Sequence, residues 1–376
     1  MDNAQFAPRV PERRQPTHPA TDTMAPLMME ALQYDRKALA LKHTKVEVPT
    51  GAGRDEVILK IAYAGVCGTD VHIIEGRVPC KATPFVMGHE MSAVVAEVGS
   101  NVFHLSVGDH VAVDPNRTCH TCHVCTSGMY NACQISPTVN TIGIMRDGAM
   151  AQFCRVPADQ VYKLPKDISL RQGVLCEPMS CVAHCWDRLG PIPMGSTILV
   201  TGAGIIGNLC VASAYYMGFR DIILSEPSEG RRAISNKLCL GDSVKVVSPD
   251  ELKAMKARDP NFGVDVAIDC SGAVPALEAG FELLNPGGKL VVFGIAAPNV
   301  KMSISPYEVY KKELTVLGNT MNPYTFNKSI GFVSGMKDML AYEKLGVGTF
   351  KLSQYQEAVD QLKKGTISKA VFEIGV

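Results

Sequence analysis

Four cysteines stand close together in the pattern C-x2-C-x2-C-x7-C, formed by Cys119, Cys122, Cys125 and Cys133. Four thiolates at this spacing suit a tetrahedral zinc ion with Zn–S bonds of about 2.3 Å, and they leave no coordination position for a substrate. The segment lacks apolar periodicity, so the free energy of metal ligation would take the place of a hydrophobic core. The pattern therefore predicts a structural zinc site.

A second group of metal-ligating residue types is spread along the chain. Cys67 lies in the segment GVCGTDVH, His89 and Glu90 follow Gly88, and Glu177 lies between a cysteine and a proline. Thiolate, imidazole and carboxylate are the ligands of zinc sites that keep one position open for chemistry. Each residue also has a structural interpretation, Cys67 as a small buried hydrophobe, His89 as a polar group at a strand start and Glu177 as a surface carboxylate. Spacing alone does not join them into one site.

A glycine-rich segment carries a third kind of chemistry. Gly202, Gly204 and Gly207 form G-x-G-x-x-G between a β-branched run at 196–201 and a helical pattern at 205–217. In such a turn the first glycine allows tight bending, the second lets the backbone approach a pyrophosphate, and the third permits close helix–strand packing. The helix N-terminus attracts the phosphates. The segment predicts a dinucleotide site.

The residues after the next strand, at 221–225, bear on the choice of coenzyme. Glu226 follows Gly207 by nineteen residues and can accept a hydrogen bond from a ribose 2′-hydroxyl. Its charge would repel a 2′-phosphate, which favours NAD over NADP. Ser225, Arg231 and Arg232 leave NADP open, because arginines at this place can hold that phosphate.

The surrounding patterns predict two domains. Short β patterns between glycine-containing turns indicate a mostly β region, with strands at 56–62, 91–98 and 110–113. From about residue 178 to residue 307, strands alternate with helices in the rhythm of a doubly wound parallel sheet, with strands at 264–269 and 289–294 and a helix at 275–284. Near the end, Ser353 and Gln356 predict a capping box for a helix that ends before Gly365, and a last strand follows at 370–374.

Composition excludes several classes of protein. The 376 residues are enough for two domains, and 37 basic against 37 acidic residues predict neither a nucleic-acid partner nor a membrane partner. No stretch reaches the roughly 20 apolar residues of a membrane helix. Thirteen cysteines without an export signal predict a reducing, cytoplasmic location. The proline-rich residues 1–25 predict a disordered tail.

These motifs occur in the order seen in zinc-dependent medium-chain dehydrogenases, and the chain most resembles the branch of sorbitol, other polyol and threonine dehydrogenases. The resemblance covers about residues 27–376. One departure is Ala93, where the family normally has a glycine three residues after the Gly-His-Glu signature. The resemblance implies an α/β plus β protein. A GroES-like, mostly β catalytic domain would span 26–178 and 317–376, and a Rossmann coenzyme domain would span 179–316.

The resemblance also implies roles for the scattered residues. Cys67 and His89 would bind a catalytic zinc, Glu90 would ligate it or stand beside it, and Glu177 would ligate it or hold its water. Zinc acidifies a bound alcohol, so the released proton needs an exit. Thr69 would take that proton and His72 would pass it to solvent. Seven residues would contact the coenzyme: Gly202, Gly204, Ile206, Gly207, Glu226, Arg231 and Gly294.

The expected function is hydride transfer between a polyol or other secondary alcohol and NAD, giving the ketose or ketone, with two zinc ions per chain. A threonine-type amino-alcohol dehydrogenase and an NADPH-dependent aldehyde or ketone reductase are alternatives within enzymes. A non-catalytic nucleotide-binding scaffold and a redox sensor built on the four cysteines are alternatives of other classes. We expect a homodimer or homotetramer, with the substrate pocket formed by residues 73–85, 137–147 and 316–326.

Overall fold

The computed structural model describes residues 26–133 and 140–375, so the expected tail at 1–25 lies outside the described residues. The chain forms two sheet-based regions. Among the described residues, no helix has both the length and the apolar character needed to cross a membrane.

The first region is mostly β and is formed by both ends of the chain. A mixed seven-stranded sheet has β3 at its centre, paired with β5, β7 and β16, and a three-stranded sheet packs beside it in the order β2-β1-β4. Its strands are β1 (Met28–Asp35), β2 (Ala40–Glu47), β3 (Glu56–Gly65), β4 (Phe85–Val86), β5 (Glu90–Val98), β6 (His110–Val113), β7 (Phe153–Pro157), β8 (Val161–Lys163), β15 (Val347–Phe350) and β16 (Lys369–Glu373).

The second region is a six-stranded parallel sheet in the order β11-β10-β9-β12-β13-β14. Counted from its first strand this is the order 3-2-1-4-5-6 of a dinucleotide-binding sheet, so the predicted fold class is confirmed. Its strands are β9 (Thr197–Thr201), β10 (Asp221–Ser225), β11 (Val244–Val247), β12 (Val264–Asp269), β13 (Leu284–Val292) and β14 (Thr315–Gly318).

Helices connect and cover these sheets. They are α1 (Gly68–Ile74), α2 (His123–Thr126), α3 (Leu170–Gly173), α4 (Cys176–Leu189), α5 (Ile205–Tyr216), α6 (Glu229–Asn236), α7 (Pro249–Arg258), α8 (Val274–Glu282), α9 (Pro306–Lys312), α10 (Phe326–Gly335), α11 (Tyr342–Leu345) and α12 (Tyr355–Lys364). Helix α4 packs against α10 and α5, and most of its residues are buried. The predicted domain boundaries fall inside α4 and β14 and stay predictions.

Two local predictions near the ends of elements are wrong. The capping box is not made by Ser353 and Gln356, because residues 352–354 form a 3-10 turn and the Lys351 N–H donates to Gln354 Oε1 at 2.9 Å instead. Strand β13 begins at Leu284 rather than 289, since its pairing with β12 shifts register and takes in the predicted turn at 285–288. The other strands and helices predicted above are confirmed to within a few residues.

Candidate active site and metal centres

The four-cysteine segment folds into a compact lobe whose sulfur atoms converge. The Sγ–Sγ distances are 3.5 Å for Cys122–Cys125, 3.6 Å for Cys119–Cys133, 3.7 Å for Cys119–Cys125 and 3.8 Å for Cys122–Cys133. Sulfurs placed about 2.3 Å from a tetrahedral zinc ion lie about 3.8 Å apart. The donor set therefore fits zinc in chemistry and in size.

The pKa values of this lobe also fit a bound cation. Backbone N–H groups of Thr121 and Cys122 lower the pKa of Cys119 to about 5. Burial and the neighbouring thiols raise the pKa of Cys125 to about 12. Four thiolates thus require a positive charge between them, which a divalent metal supplies.

Three of the scattered candidates, Cys67, His89 and Glu90, meet where the central strand β3 ends and β5 begins. The ligand atoms of Cys67, His89 and Glu90 all lie within 4.8 Å of one another. The pairing of β3 with β5 produces this convergence, since Gly65 lies opposite Glu90 and Cys67 immediately precedes α1. A Cβ at Gly65 would overlap the Glu90 carboxylate, so the close approach requires glycine.

Asp70, which the sequence analysis missed, orients two of these ligands. Its Oδ2 accepts a hydrogen bond from the Cys67 N–H at 2.8 Å, and its Oδ1 lies 3.4 Å from His89 Nδ1. This leaves His89 Nε2 for a metal, in the manner of carboxylate–histidine–zinc arrangements. Burial lowers the pKa of His89, but the nearby Asp70 and Cys67 charges outweigh it and raise that pKa well above its ordinary value. A metal ion would take the place of the extra proton.

Lys369, at the start of β16, was also missed. It is 1% exposed, and its ammonium forms an ion pair with the Glu90 carboxylate and donates to the Val66 carbonyl at 3.2 Å. Burial lowers the pKa of Lys369, yet Glu90 and Cys67 outweigh this and raise it. Glu90 thus already has a cationic partner.

A cavity of about 450 Å³ opens beside these ligands. Glu177, near the start of α4, is buried and lines it together with Cys67, His89 and Glu90, but its oxygens are not part of the three-residue cluster. Burial and the Glu90 charge raise the pKa of Glu177 to about 8. The structure therefore brings three predicted ligands together and places the fourth on the cavity wall.

The two proposed proton carriers line the same cavity from helix α1. Thr69 is half-buried, and His72 Nδ1 lies 3.9 Å from Glu75 Oε2. Burial and the charge of Arg77 lower the pKa of His72. A largely neutral imidazole at the cavity edge can both accept and release a proton near neutral pH.

The glycine motif takes the predicted strand–turn–helix form. Gly202 has a φ of +95°, and a Cβ at Gly207 would lie 1.9 Å from the Gly202 carbonyl oxygen, so the helix packs directly on the turn. Gly204 is the N-cap of α5. Ile206 and Gly294 line the 450 Å³ cavity.

Glu226 is buried at the end of β10, where both its oxygens are held by backbone N–H groups. It accepts hydrogen bonds from the N–H of Ala203 at 2.8 Å and of Ser228 at 2.9 Å. With Arg231 it lines a second cavity of about 510 Å³, which shares Ser271 with the first. The Arg232 guanidinium instead donates to the Glu226 and Pro227 carbonyl oxygens. The two cavities thus lie next to each other on the same side of the glycine turn, with Gly202 lining one and Ile206 lining the other.

Two of the three expected pocket segments contribute to the cavity wall. Segment 137–147, of which 137–139 lie outside the described residues, contributes Thr141 and Ile144. Segment 316–326 contributes residues 319–321, and segment 73–85 contributes no lining residue. The expectation for 73–85 is wrong because this stretch leads into β4, which pairs with β1 in the small sheet. Pro115 and Asn116, which follow β6, take part in its place.

Comparisons with known proteins agree with this geometry. The family model of the alcohol dehydrogenase GroES-like domain matches residues 53–166, and that of the zinc-binding dehydrogenases matches residues 206–335. The L-threonine 3-dehydrogenase of Pyrococcus abyssi is 31% identical over 355 residues, which are 92% of this chain and 98% of that protein. The protein named Probable D-xylulose reductase A of Aspergillus clavatus is 33% identical over 326 residues, 82% of this chain and 87% of that protein.

A solved structure shows the same architecture. The 2R,3R-butanediol dehydrogenase of Bacillus subtilis superposes with a TM-score of 0.80 at 25% identity, over 92% of this chain and 99% of that one. The matches span both sheet regions and the residues between them. The chain belongs to the family of zinc-dependent medium-chain dehydrogenases.

Proposed function

We propose that this oxidoreductase transfers hydride between a neutral polyol or related secondary alcohol and NAD. The observation that carries the proposal is the convergence of Cys67, His89 and Glu90 beside a cavity that continues to the glycine turn. A zinc ion held by these residues would supply a Lewis acid that makes the alcohol easier to deprotonate. Thr69 would accept the alcohol proton, and His72 would carry it to solvent.

The polar lining of the cavity supports a neutral substrate. Among its described lining residues there is no lysine or arginine, and the residues of amide or hydroxyl type are Thr69, Asn116, Thr141, Ser271, Asn319 and Thr320. Such groups exchange hydrogen bonds with several hydroxyls of a polyol. The carboxylate of threonine would enter a cavity whose lining already holds Glu90 and Glu177 and offers no lysine or arginine to pair with it. This contrast favours polyols over threonine.

The preference for NAD follows from the electrostatics around Glu226. Its buried carboxylate, fixed by two backbone N–H groups, would repel the negative charge of a 2′-phosphate. Arg231 and Lys253 line the same cavity and favour the NADP alternative. We expect NAD to prevail, because the carboxylate is held in place at the end of the strand, where the ribose of a bound coenzyme lies.

We also propose two zinc ions per chain and a homo-oligomer. The four-cysteine lobe and the Cys67 cluster each fit one ion. An oligomer is supported by β14, the outermost strand of the parallel sheet, which is largely exposed. Tyr307 and Tyr310, from α9 beside it, are 65% and 82% exposed. An exposed edge strand with aromatic neighbours is suited to pairing with a second copy.

The test is a panel of polyols, simple secondary alcohols and threonine with NAD⁺ and NADP⁺, followed by nicotinamide absorbance. We expect kcat/KM for the best polyol with NAD⁺ to exceed that for threonine by about a hundredfold or more, because a buried unpaired charge is strongly rejected. Zinc analysis should give two ions per chain. Faster oxidation of threonine, or a preference for NADP⁺, would overturn the corresponding part of the proposal.

A further inference from the structure

The cysteine lobe (residues 119–133) does more than close on a metal, because its last turn reaches the rim of the reaction cavity. Tyr130 and Asn131, between the third and fourth cysteines, contact residues 320–324. The Tyr130 hydroxyl accepts from the Tyr324 N–H at 3.1 Å and donates to the Asn322 carbonyl at 3.3 Å. Asn131 Nδ2 donates to the Thr320 carbonyl at 3.1 Å. The Tyr130 and Tyr324 rings meet edge to face at 4.8 Å.

The contacted segment, which we call the rim loop (residues 319–325), borders the site directly. Asn319, Thr320 and Met321 line the 450 Å³ cavity. Met321 and Tyr324 have φ values of +56° and +57°, a left-handed conformation that side chains other than glycine rarely adopt and that persists only when surrounding contacts impose it. The rim loop therefore depends on contacts from outside itself.

The two ends of the rim loop are bonded to α4 through Asn319 and Thr325, whose side chains donate to the Cys181 and Ser180 carbonyls, and its middle is held by the buried side chain of Asn322. Its Nδ2 donates to Asp114 Oδ1 at 3.1 Å and to Ser180 Oγ at 2.9 Å, and its Oδ1 accepts from Asn116 Nδ2 at 2.8 Å. These bonds fix the middle of the loop. The carbonyl of Thr320 and the N–H of Tyr324, on either side of Asn322, are bonded by the cysteine lobe.

We propose that the cysteine lobe is a positioning element for the reaction cavity: with metal bound, Tyr130 and Asn131 hold the rim loop in the strained form that completes the cavity wall. Tyr130 and Asn131 are thus positioning residues that touch neither substrate nor coenzyme. This inference goes beyond the proposed function, and only its kinetic readout rests on that function.

The test begins with Tyr130→Phe in the zinc-loaded protein, which keeps the aromatic contact and removes the hydroxyl. We expect hydrogen exchange at the Tyr324 amide to accelerate by about fivefold, and KM for the best alcohol to rise by a similar factor, as for one lost hydrogen bond. Zinc content and kcat should change little. Tyr355→Phe, at the start of α12 where the ring packs against the hydrophobic core of the mostly β region, is the matched control and should change neither quantity.

Two further variants keep the test decisive if Tyr130→Phe fails to fold. Asn131→Ala removes the bond to the Thr320 carbonyl and should loosen the rim loop in the same direction. Cys119→Ser should lower zinc content by one per chain and release the Tyr324 amide as well. If the amide stays protected in a Cys119→Ser chain that has lost one zinc, the coupling to the metal is refuted.

The exchange readout is independent of the substrate, so failure of the proposed function and failure of this inference are separable. If no alcohol of the panel is oxidised, the dissociation constant of NADH measured by nicotinamide fluorescence replaces KM. Faster exchange at Tyr324 without any change in KM or coenzyme affinity would overturn the positioning role. Unchanged exchange in both Tyr130→Phe and Asn131→Ala would overturn the contact itself.

Discussion

Replacing Asp114 by asparagine should stabilise the protein at neutral pH, although it removes a hydrogen-bonded charge. Asp114 follows β6 and is 5% exposed. Its Oδ1 accepts hydrogen bonds from the Asn116 N–H at 3.0 Å and from Asn322 Nδ2 at 3.1 Å, and its Oδ2 lies 3.5 Å from the Tyr130 hydroxyl oxygen. Despite these donors, burial raises the pKa of Asp114 to about 6. The free-energy cost of burying the charge therefore exceeds the gain from its hydrogen bonds.

The magnitude follows from linkage. An unfolded aspartate has a pKa of about 3.9, and each pH unit of difference is worth about 1.36 kcal/mol, so a native value of about 6 costs about 3 kcal/mol of stability above that pH. The folded state binds more protons than the unfolded state between about pH 4 and pH 6. The cost is thus complete above about pH 6 and fades as pH falls towards 4. Asparagine has the same shape and carries no charge, so Asp114→Asn should recover up to about 3 kcal/mol at pH 7 to 8.

The assay is urea denaturation of the zinc-loaded wild type and Asp114→Asn from pH 5 to pH 8. Comparing the two proteins at each pH cancels any loss of zinc that they share. The matched control is Asp109→Asn, because Lys163 holds the pKa of partly exposed Asp109 below its ordinary value. That pair contributes stability above the unfolded pKa and loses it as pH falls, so its removal should destabilise at neutral pH. An Asp114→Asn variant less stable than wild type at pH 7.5, or a difference that does not vary with pH, would refute the reasoning.

Substitutions at three further positions test the metal site and its surroundings. Cys67→Ser should lower zinc content from two ions to one per chain and abolish alcohol oxidation while NADH still binds; two zinc ions with full activity would reject Cys67 as a ligand. Thr69→Ala should reduce kcat by about a hundredfold with zinc content intact, since a lost proton carrier costs that much or more, and Thr69→Ser should restore it; unchanged turnover contradicts the relay. In zinc-free protein, Lys369→Met should destabilise by about 3–5 kcal/mol in denaturation because Glu90 then stays buried without a cation, and Lys369→Arg should recover most of this; equal stability of wild type and Lys369→Met would contradict the buried pair.

Features encoded within a few neighbouring residues were predictable. The turn from Gly202 to Gly207 follows a β-branched run and opens a helix, and each step has a local physical cause in backbone freedom and close packing. The cysteine pattern from 119 to 133 is similarly self-contained, since its ligands lie within one short segment. The convergence of Cys67 with His89, by contrast, could be expected only from family resemblance, because it depends on the register of β3 against β5.

Features created by long-range packing were not predictable. Lys369 is the first residue of the last strand, and nothing in its sequence neighbourhood distinguishes it from a surface lysine. Only the pairing of β16 with β3 brings it to Glu90. Asp70 looks like a capping residue of a short helix, yet one of its oxygens faces the ring of His89. The wrong capping-box prediction at Ser353 has the opposite origin, because the local signal there is overridden by a 3-10 turn that starts one residue earlier, at Leu352.

The acidic side chains around the reaction cavity outnumber the basic side chains, which favours binding of a metal cation there. Cys67, Glu90 and Glu177 share a space in which Lys369 is the buried cation paired to Glu90. Burial and the Glu90 charge raise the pKa of Glu177 to about 8, and the Asp70 and Cys67 charges outweigh burial and raise the pKa of His89 well above its ordinary range. Both shifts add protons to a site that carries too much negative charge. A divalent cation would oppose the part of both shifts that comes from neighbouring negative charge, favouring a neutral His89 and an ionised Glu177. Glu177 therefore need not ligate the metal to respond to it.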